Sequence, residues 1–304
     1  MKKYFLFTTD VETTSIVNHC LSDETGALVA NEAIPKILDI YKKYNICSTF
    51  FVTGYFAEKF PQAVKLIYDN GHEIGCHGYS HQHTLSFDSM PLAKQITHLK
   101  KAKSILENII SDEIASFRSP ALRTNRDTVN ALIESGFKYD SSIASQRFDF
   151  FLSFGSKEKR KWLKAPRSPF EASKESLAKE GKSGIIEFPV SAFIMPYIGT
   201  TMRIFPKISK ILRYFLARES SHKKKPINFL IHPIELIEEK AKTQNIERRH
   251  KSVVNYLFKD KLRHHLKLKN LGDNAVNLLI DQIDYFKSKN YEFITLKEYW
   301  SLYG

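Results

Sequence analysis

Gly71-His72-Glu73-Ile74-Gly75-Cys76-His77-Gly78-Tyr79-Ser80-His81 places two imidazoles four residues apart behind a short apolar run. Two histidines so spaced can close on one divalent cation. A helix would also bring residues i and i+4 together, as a solvated pair. The glycines at 71, 75 and 78 are poor helix formers, however, and suit a strand, Glu73 to Cys76, that breaks into a tight loop where backbone passes close to a ligand.

The same pattern, an apolar strand ending in a polar group, recurs along the chain. Tyr4-Phe5-Leu6-Phe7-Thr8-Thr9 runs into Asp10 and Glu12, and either acid can be a further metal ligand. Arg118 follows Ser116-Phe117, and His232 follows Phe229-Leu230-Ile231. Taken singly, the acids can be caps, Arg118 an ion-pair partner and His232 a satisfied core residue. Together they have the layout of an α/β active site, which gathers at the carboxyl ends of parallel strands.

Between these strands the pattern reads as helix. Asn31 is placed to cap a helix through Tyr44, with Ile34, Ile37, Leu38 and Tyr41 on one face. Ser48–Val52 reads as strand, 61–70 as a helix ended by Gly71, and Pro91 opens a helix to about Ile110. A helix over 127–135 stops at Gly136, and strands follow at 137–140, 184–188, 227–231 and 291–295. Alternating strand and helix is the signature of parallel βα units. The expectation is an α/β fold, a distorted (β/α) barrel of about seven parallel strands, forming one catalytic domain over residues 1–304.

These residues resemble the polysaccharide deacetylase family, also called the NodB-homology or carbohydrate esterase 4 family. Its four motifs have counterparts, in order, in Thr9-Asp10-Val11-Glu12, His77 to His81, Arg118-Ser119-Pro120 and Leu230-Ile231-His232, and the likeness spans roughly residues 4–236. The usual first motif has two adjacent aspartates. Here Val11 separates Asp10 from Glu12, which looks closer to a branch with Asp-Val-Asp or Asp-Val-Glu. That branch includes intracellular deacetylases and the deformylase acting on lipid-linked aminoarabinose. Its Tyr-Asp-Ser-Ser and Glu-Phe-Pro segments are matched by residues 139–142 and 187–189.

The resemblance implies a metal-dependent hydrolase removing an N-acyl group, acetyl by preference, from an amino sugar in cell-surface polysaccharide or glycolipid synthesis. It implies one divalent ion, zinc as first choice, on Glu12, His77 and His81, with Asp10 as base, Arg118 holding Asp10, and His232 as the acid that protonates the departing amine. Asp140, Pro120 and Trp162 are the expected substrate contacts. Two other readings stand beside this one: a metal-independent, allantoinase-like cyclic-amide hydrolase, and a non-catalytic glycan-binding or membrane-associated module.

Alternation fails between 145 and 183, marking an insertion in which Arg147, Phe148, Phe150, Phe151 and Trp162 either stack on a sugar or form a small satellite core. A basic helical region is expected over about 238–290; the histidines of its 240–269 stretch lack carboxylates at ligand spacing and read as solvated charge. Cys20, Cys47 and Cys76 form no ligand cluster, and Cys76 reads as a small buried thiol. Sparse cysteines, with no apolar run of about 18 residues, give a cytoplasmic expectation. A net charge of +13 favours polyanions or anionic surfaces. With no recognisable nucleic-acid module, the expected partners are an N-acyl sugar on a nucleotide or lipid carrier and the inner membrane face.

Overall fold

A computed structural model of the protein describes residues 2–18, 20–81, 86–147, 157–239 and 262–303. Twelve strands are described: β1 Lys3–Val11, β2 Ser48–Val52, β3 Glu73–Cys76, β4 Ser116–Phe117, β5 Tyr139–Asp140, β6 Phe170–Ser173, β7 Ser176–Glu180, β8 Ile186–Glu187, β9 Ala192–Phe193, β10 Met195–Pro196, β11 Ile227–Ile231 and β12 Tyr291–Phe293. Seven of them form a parallel series in the order β11-β1-β2-β3-β4-β5-β8, as the alternation of strand and helix predicts. β12 pairs in parallel with the start of β1. The sheet curls back on itself: just past β8, Ser191 donates to Asn228 O of β11, and Asn228 Nδ2 donates to Phe188 O.

β1 is buried on both faces, so its side chains divide with the period of two that a strand imposes. Phe5 and Phe7 pack with Tyr41, Phe229, Phe286 and Phe293 in the layer between sheet and helices. A fully buried aromatic of this kind contributes roughly 1.5–3 kcal/mol. Tyr4 and Leu6 join Phe51, Ile186, Phe188, Leu296 and Tyr299 in a second, separate cluster. Thr8 and Asp10 continue that second row and meet Arg118. Strand periodicity thus delivers Asp10 to the inside of the curl while its neighbours hold the helices outside.

Two local expectations are corrected. Asn31 caps nothing: the helix starts at Asp23, where Ser22 Oγ accepts from Thr25 N, and continues through a wider-turn segment, Val29–Ala33, into Ile34–Tyr44. Pro35 supplies the reason, since it has no N–H to give the preceding turn, and the helix accommodates it by an i to i−5 bond from Ile34 N to Val29 O. The irregular 145–183 stretch contains the β6–β7 hairpin, and β6 pairs antiparallel with β8. Its Ser, Ala, Lys and Glu residues have poor strand propensity, and pairing to an existing edge overrides it. Phe148, Phe150 and Phe151 lie outside the described residues, as does the 240–261 part of the basic region.

Candidate active site

The polar groups expected at strand ends converge. Asp10 is the penultimate residue of β1; His77, Arg118 and His232 directly follow β3, β4 and β11. The histidine loop begins where His77 N donates to Val52 O, and Gly78 turns it at φ +69°. His77 Nδ1 donates to Arg118 O at 2.8 Å. That bond fixes the tautomer and leaves the Nε2 lone pair free for a cation. Nε2 lies 3.8 Å from Asp10 Oδ2. His81 Nε2 is 3.3 Å from Glu12 Oε2, which also accepts from Thr14 Oγ1. His232 Nε2 stands across from both acids, 4.0 Å from Asp10 Oδ2 and 3.9 Å from Glu12 Oε1.

Asp10 and Arg118 are buried, and the guanidinium organises the floor of the site. Its Nη1 donates to Asp10 Oδ1 and Thr8 Oγ1, both at 2.9 Å, while Nε and Nη2 donate to Ser141 O and Ser141 Oγ. The guanidinium carbon sits 4.4 Å from the centre of the Phe51 ring. Gly75 makes room for that ring, since a Cβ there would come within 2.7 Å of Phe51 Cδ1. Burial by itself would raise the Asp10 pKa, but the charges of Arg118, His77 and His232 and the Arg118 hydrogen bond outweigh it and hold the carboxyl below its ordinary range. Burial lowers the His77 pKa, against the pull of Asp10 and Glu12, and so favours the neutral imidazole that a metal requires.

Residues 20–139 match the profile of the polysaccharide deacetylase family. That span contains His77, His81 and Arg118, three of the four residues that the folded chain brings against Asp10 and Glu12. Over that stretch the chain is similar to polysaccharide deacetylases. A peptidoglycan deacetylase of Helicobacter pylori is 30% identical over 123 residues, 40% of this chain and 41% of that protein. The aligned stretch spans about half the length, or less, of the first curated relatives it matches. A Mycobacterium smegmatis structure named as a polysaccharide deacetylase shares the fold at 18% identity, with a TM-score of 0.54 over 97% of this chain and 93% of that one. The Puue allantoinase structure is comparably similar in fold, with a TM-score of 0.52 and 16% identity over 97% of this chain and 88% of that one. Shared fold therefore does not choose between the two chemistries; the site residues must.

Glu12, His77 and His81 fit a divalent ion. Their candidate ligand atoms all lie within 4.8 Å of one another. The 3.3 Å separation of Glu12 Oε2 and His81 Nε2 is close to the edge of a tetrahedron built on bonds of about 2.1 Å. Three expected substrate contacts are not met. Trp162 is 2% exposed and packs in the main hydrophobic core, so it offers no open face to a sugar and is not part of a separate satellite core. Pro120 is buried beside Gly78 and shapes the turn after Arg118. Asp140 is fully buried: its carboxylate accepts from Ser142 Oγ and Ser142 N, and Ser142 Oγ accepts from Ser119 N.

Asp140 is therefore a support for the Arg118-Ser119 turn, and its register partner on the next strand is Glu187. Glu187 was legible only as part of the Glu-Phe-Pro match; nothing in its local sequence says that it faces another carboxyl. Burial first, and then the Asp140 charge, push the Glu187 pKa well above its ordinary range, so this pair retains a proton. A carboxyl with a raised folded pKa contributes stability that is full below its unfolded pKa of about 4.3 and is lost as pH rises toward the folded value. Glu187→Gln has no such loss. Its melting temperature is expected to gain on that of the native protein as pH rises from about 5 to about 8. A pH-independent difference between the two melting curves would place the proton elsewhere.

Proposed function

We propose that the protein is a metal-dependent hydrolase that removes an N-acyl group, acetyl in the first instance, from an amino sugar used in cell-surface polysaccharide or glycolipid synthesis. The observation that carries this reading is the convergence of the ligand atoms of Glu12, His77 and His81 within 4.8 Å, beside an Asp10 pinned by Arg118. The family supports an N-acetylated sugar substrate, and the free thiols of Cys20, Cys47 and Cys76 support a reducing, cytoplasmic compartment. A nucleotide or lipid carrier for the sugar belongs to the same reading.

Glu12, His77 and His81 would hold the ion, with zinc the first choice for a His₂-carboxylate set. Such an ion supplies Lewis acidity to the acyl oxygen and makes water more acidic at neutral pH. Asp10, kept ionised by Arg118, accepts a proton from the water that attacks the acyl carbon. Arg118 has no freedom to turn, because Ser141, Thr8 and Phe51 occupy its remaining edges and face. His232, on the opposite side of both acids, protonates the amine nitrogen as the carbon–nitrogen bond breaks. The products are a carboxylic acid and a free amino sugar.

The test is elemental analysis of the purified protein together with a hydrolysis screen of N-acetyl and N-formyl amino sugars, free and carrier-linked, with a cyclic ureide alongside. Stoichiometric zinc and acyl release from an amino sugar are expected. Ring opening of the ureide by metal-free protein would establish the allantoinase-like reading instead. A folded, zinc-loaded protein inert on every substrate but retained by glycans would establish the non-catalytic one.

A further inference from the structure

The helix Pro206–Lys223 is buried on one side through Ser209, Leu212, Leu216, Ala217 and Ser220, as expected for a helix laid on a sheet. Its opposite side is not polar in the usual way. Ile208, Ile211, Tyr214 and Phe215 are exposed there, Ile211 by 57% and Tyr214 by 53%. The tip of the β9–β10 hairpin extends this surface, with Phe193 stacked on Phe215 at 5.6 Å and 18° and Ile194 exposed by 60%. Ile194 also holds a φ of +64°, an unfavourable conformation for a β-branched residue, which keeps the hairpin tight at its outermost point. Isolated surface apolar residues need no explanation, but a contiguous set of this size does.

The charges around this surface identify what covers it. At 100° per residue, Lys207 and Arg218 fall among Ile211, Tyr214 and Phe215 on the outward side of the helix, and both are exposed. Neither is paired with a carboxylate among the described residues. Glu219, the one acid of this helix, is turned aside onto Arg167 and Lys225. A two-fold contact of this face with a second copy would set Lys207 and Arg218 against their own equivalents. Interleaved basic and aromatic-aliphatic residues on an exposed helix, on a chain of net charge +13, match an anionic lipid surface instead. No described helix is long and apolar enough to cross a membrane, so the match is to the interface and not the bilayer interior.

We propose that the outward face of helix Pro206–Lys223, with the β9–β10 tip, is a docking surface for anionic phospholipid membranes. Ile208, Ile211, Tyr214, Phe215, Phe193 and Ile194 enter the headgroup boundary, and Lys207 and Arg218 meet lipid phosphates. The hairpin's outgoing strand leads to Ile198, which bridges Leu230 two residues before His232, so the docking face and one wall of the site share a continuous backbone connection. The proposal stands on this surface alone and is independent of the substrate reading.

Co-sedimentation of the full chain with vesicles tests it, using phosphatidylcholine alone and phosphatidylcholine with about one third phosphatidylglycerol. Binding is expected only to the anionic vesicles and should weaken as salt rises, because a headgroup attraction is screened. Ile211→Ser with Phe215→Ser leaves the charge unaltered. It should lower the partition constant at least ~10-fold, since each side chain of this size contributes on that order when buried. Lys207→Gln with Arg218→Gln should lower it by a similar factor and remove most of the salt dependence. Both pairs are exposed, and circular dichroism melts should match the native protein. Equal binding by native protein and both variants overturns the proposal, as does an absence of binding to anionic vesicles. Concentration-dependent dimerisation abolished by the serine pair would overturn it in favour of a second copy as occupant.

Discussion

Glu12→Ala is expected to lose the metal and all measurable turnover together, whereas Asp10→Asn keeps the metal and loses turnover alone. The two acids stand two residues apart, but their surroundings separate their roles. Glu12 faces His81 at 3.3 Å on the side where the three candidate ligands converge, and alanine there leaves two imidazoles, too few for the His₂-carboxylate set. Asp10 is instead committed to Arg118 at 2.9 Å, and its free oxygen lies 3.8 Å from His77 Nε2, consistent with a base beside the metal position. Losing the general base should cost about 10²- to 10⁴-fold in kcat. Asp10→Asn also leaves a buried guanidinium without its anion, a change that costs about 3–5 kcal/mol when one partner of a buried pair is removed. Metal content, rate and melting temperature must therefore be measured on the same samples. An Asp10→Asn protein that is folded but metal-free, beside a metal-loaded and inactive Glu12→Ala, would exchange the two roles.

His232→Ala is expected to slow amide hydrolysis about 10²- to 10⁴-fold, the usual cost of one proton-transfer partner, while sparing fold and metal. His232 Nε2 is the group placed across from Asp10 and Glu12, so its natural task is the amine that leaves on that side. An activated aryl ester departs without protonation, and its hydrolysis should fall far less. The diagnostic quantity is the ratio of the two losses. Equal losses on amide and ester would make His232 a substrate-orienting residue and require another acid.

Much of this site was readable before folding because its signals are local. The histidine spacing, the glycines around it and the recurrence of a polar residue after each apolar run identify Asp10, Glu12, His77, His81, Arg118 and His232. The folded chain brings all six together. The alternation of strand-like and helix-like segments likewise located the seven parallel strands. The hairpin of β6 and β7 escaped because its residues take strand form only against the β8 edge. Trp162 and Asp140 were misplaced for a related reason: an aromatic in an irregular stretch or an acid at a strand end carries no mark of which way it points, and both turn inward.

The chain's own order of residues thus determines which chemistry is available, a cation-binding pair with acids, a fixed arginine and a second histidine. It also determines that each member sits at a strand end, because hydrophobic period and glycine placement act over a few neighbouring residues. The depth of each group, the pairing of Asp140 with Glu187, the four-sided capture of Arg118 and the exposed apolar face of Pro206–Lys223 depend on strand register and on how helices are laid against the sheet. A one-residue shift in register would turn Asp10 outward and Thr9 inward with no change in either local pattern. That choice is made by contacts between residues far apart in the chain, such as Thr8 with Asn228 and Asp10 with Arg118, whose partners no short stretch of sequence contains.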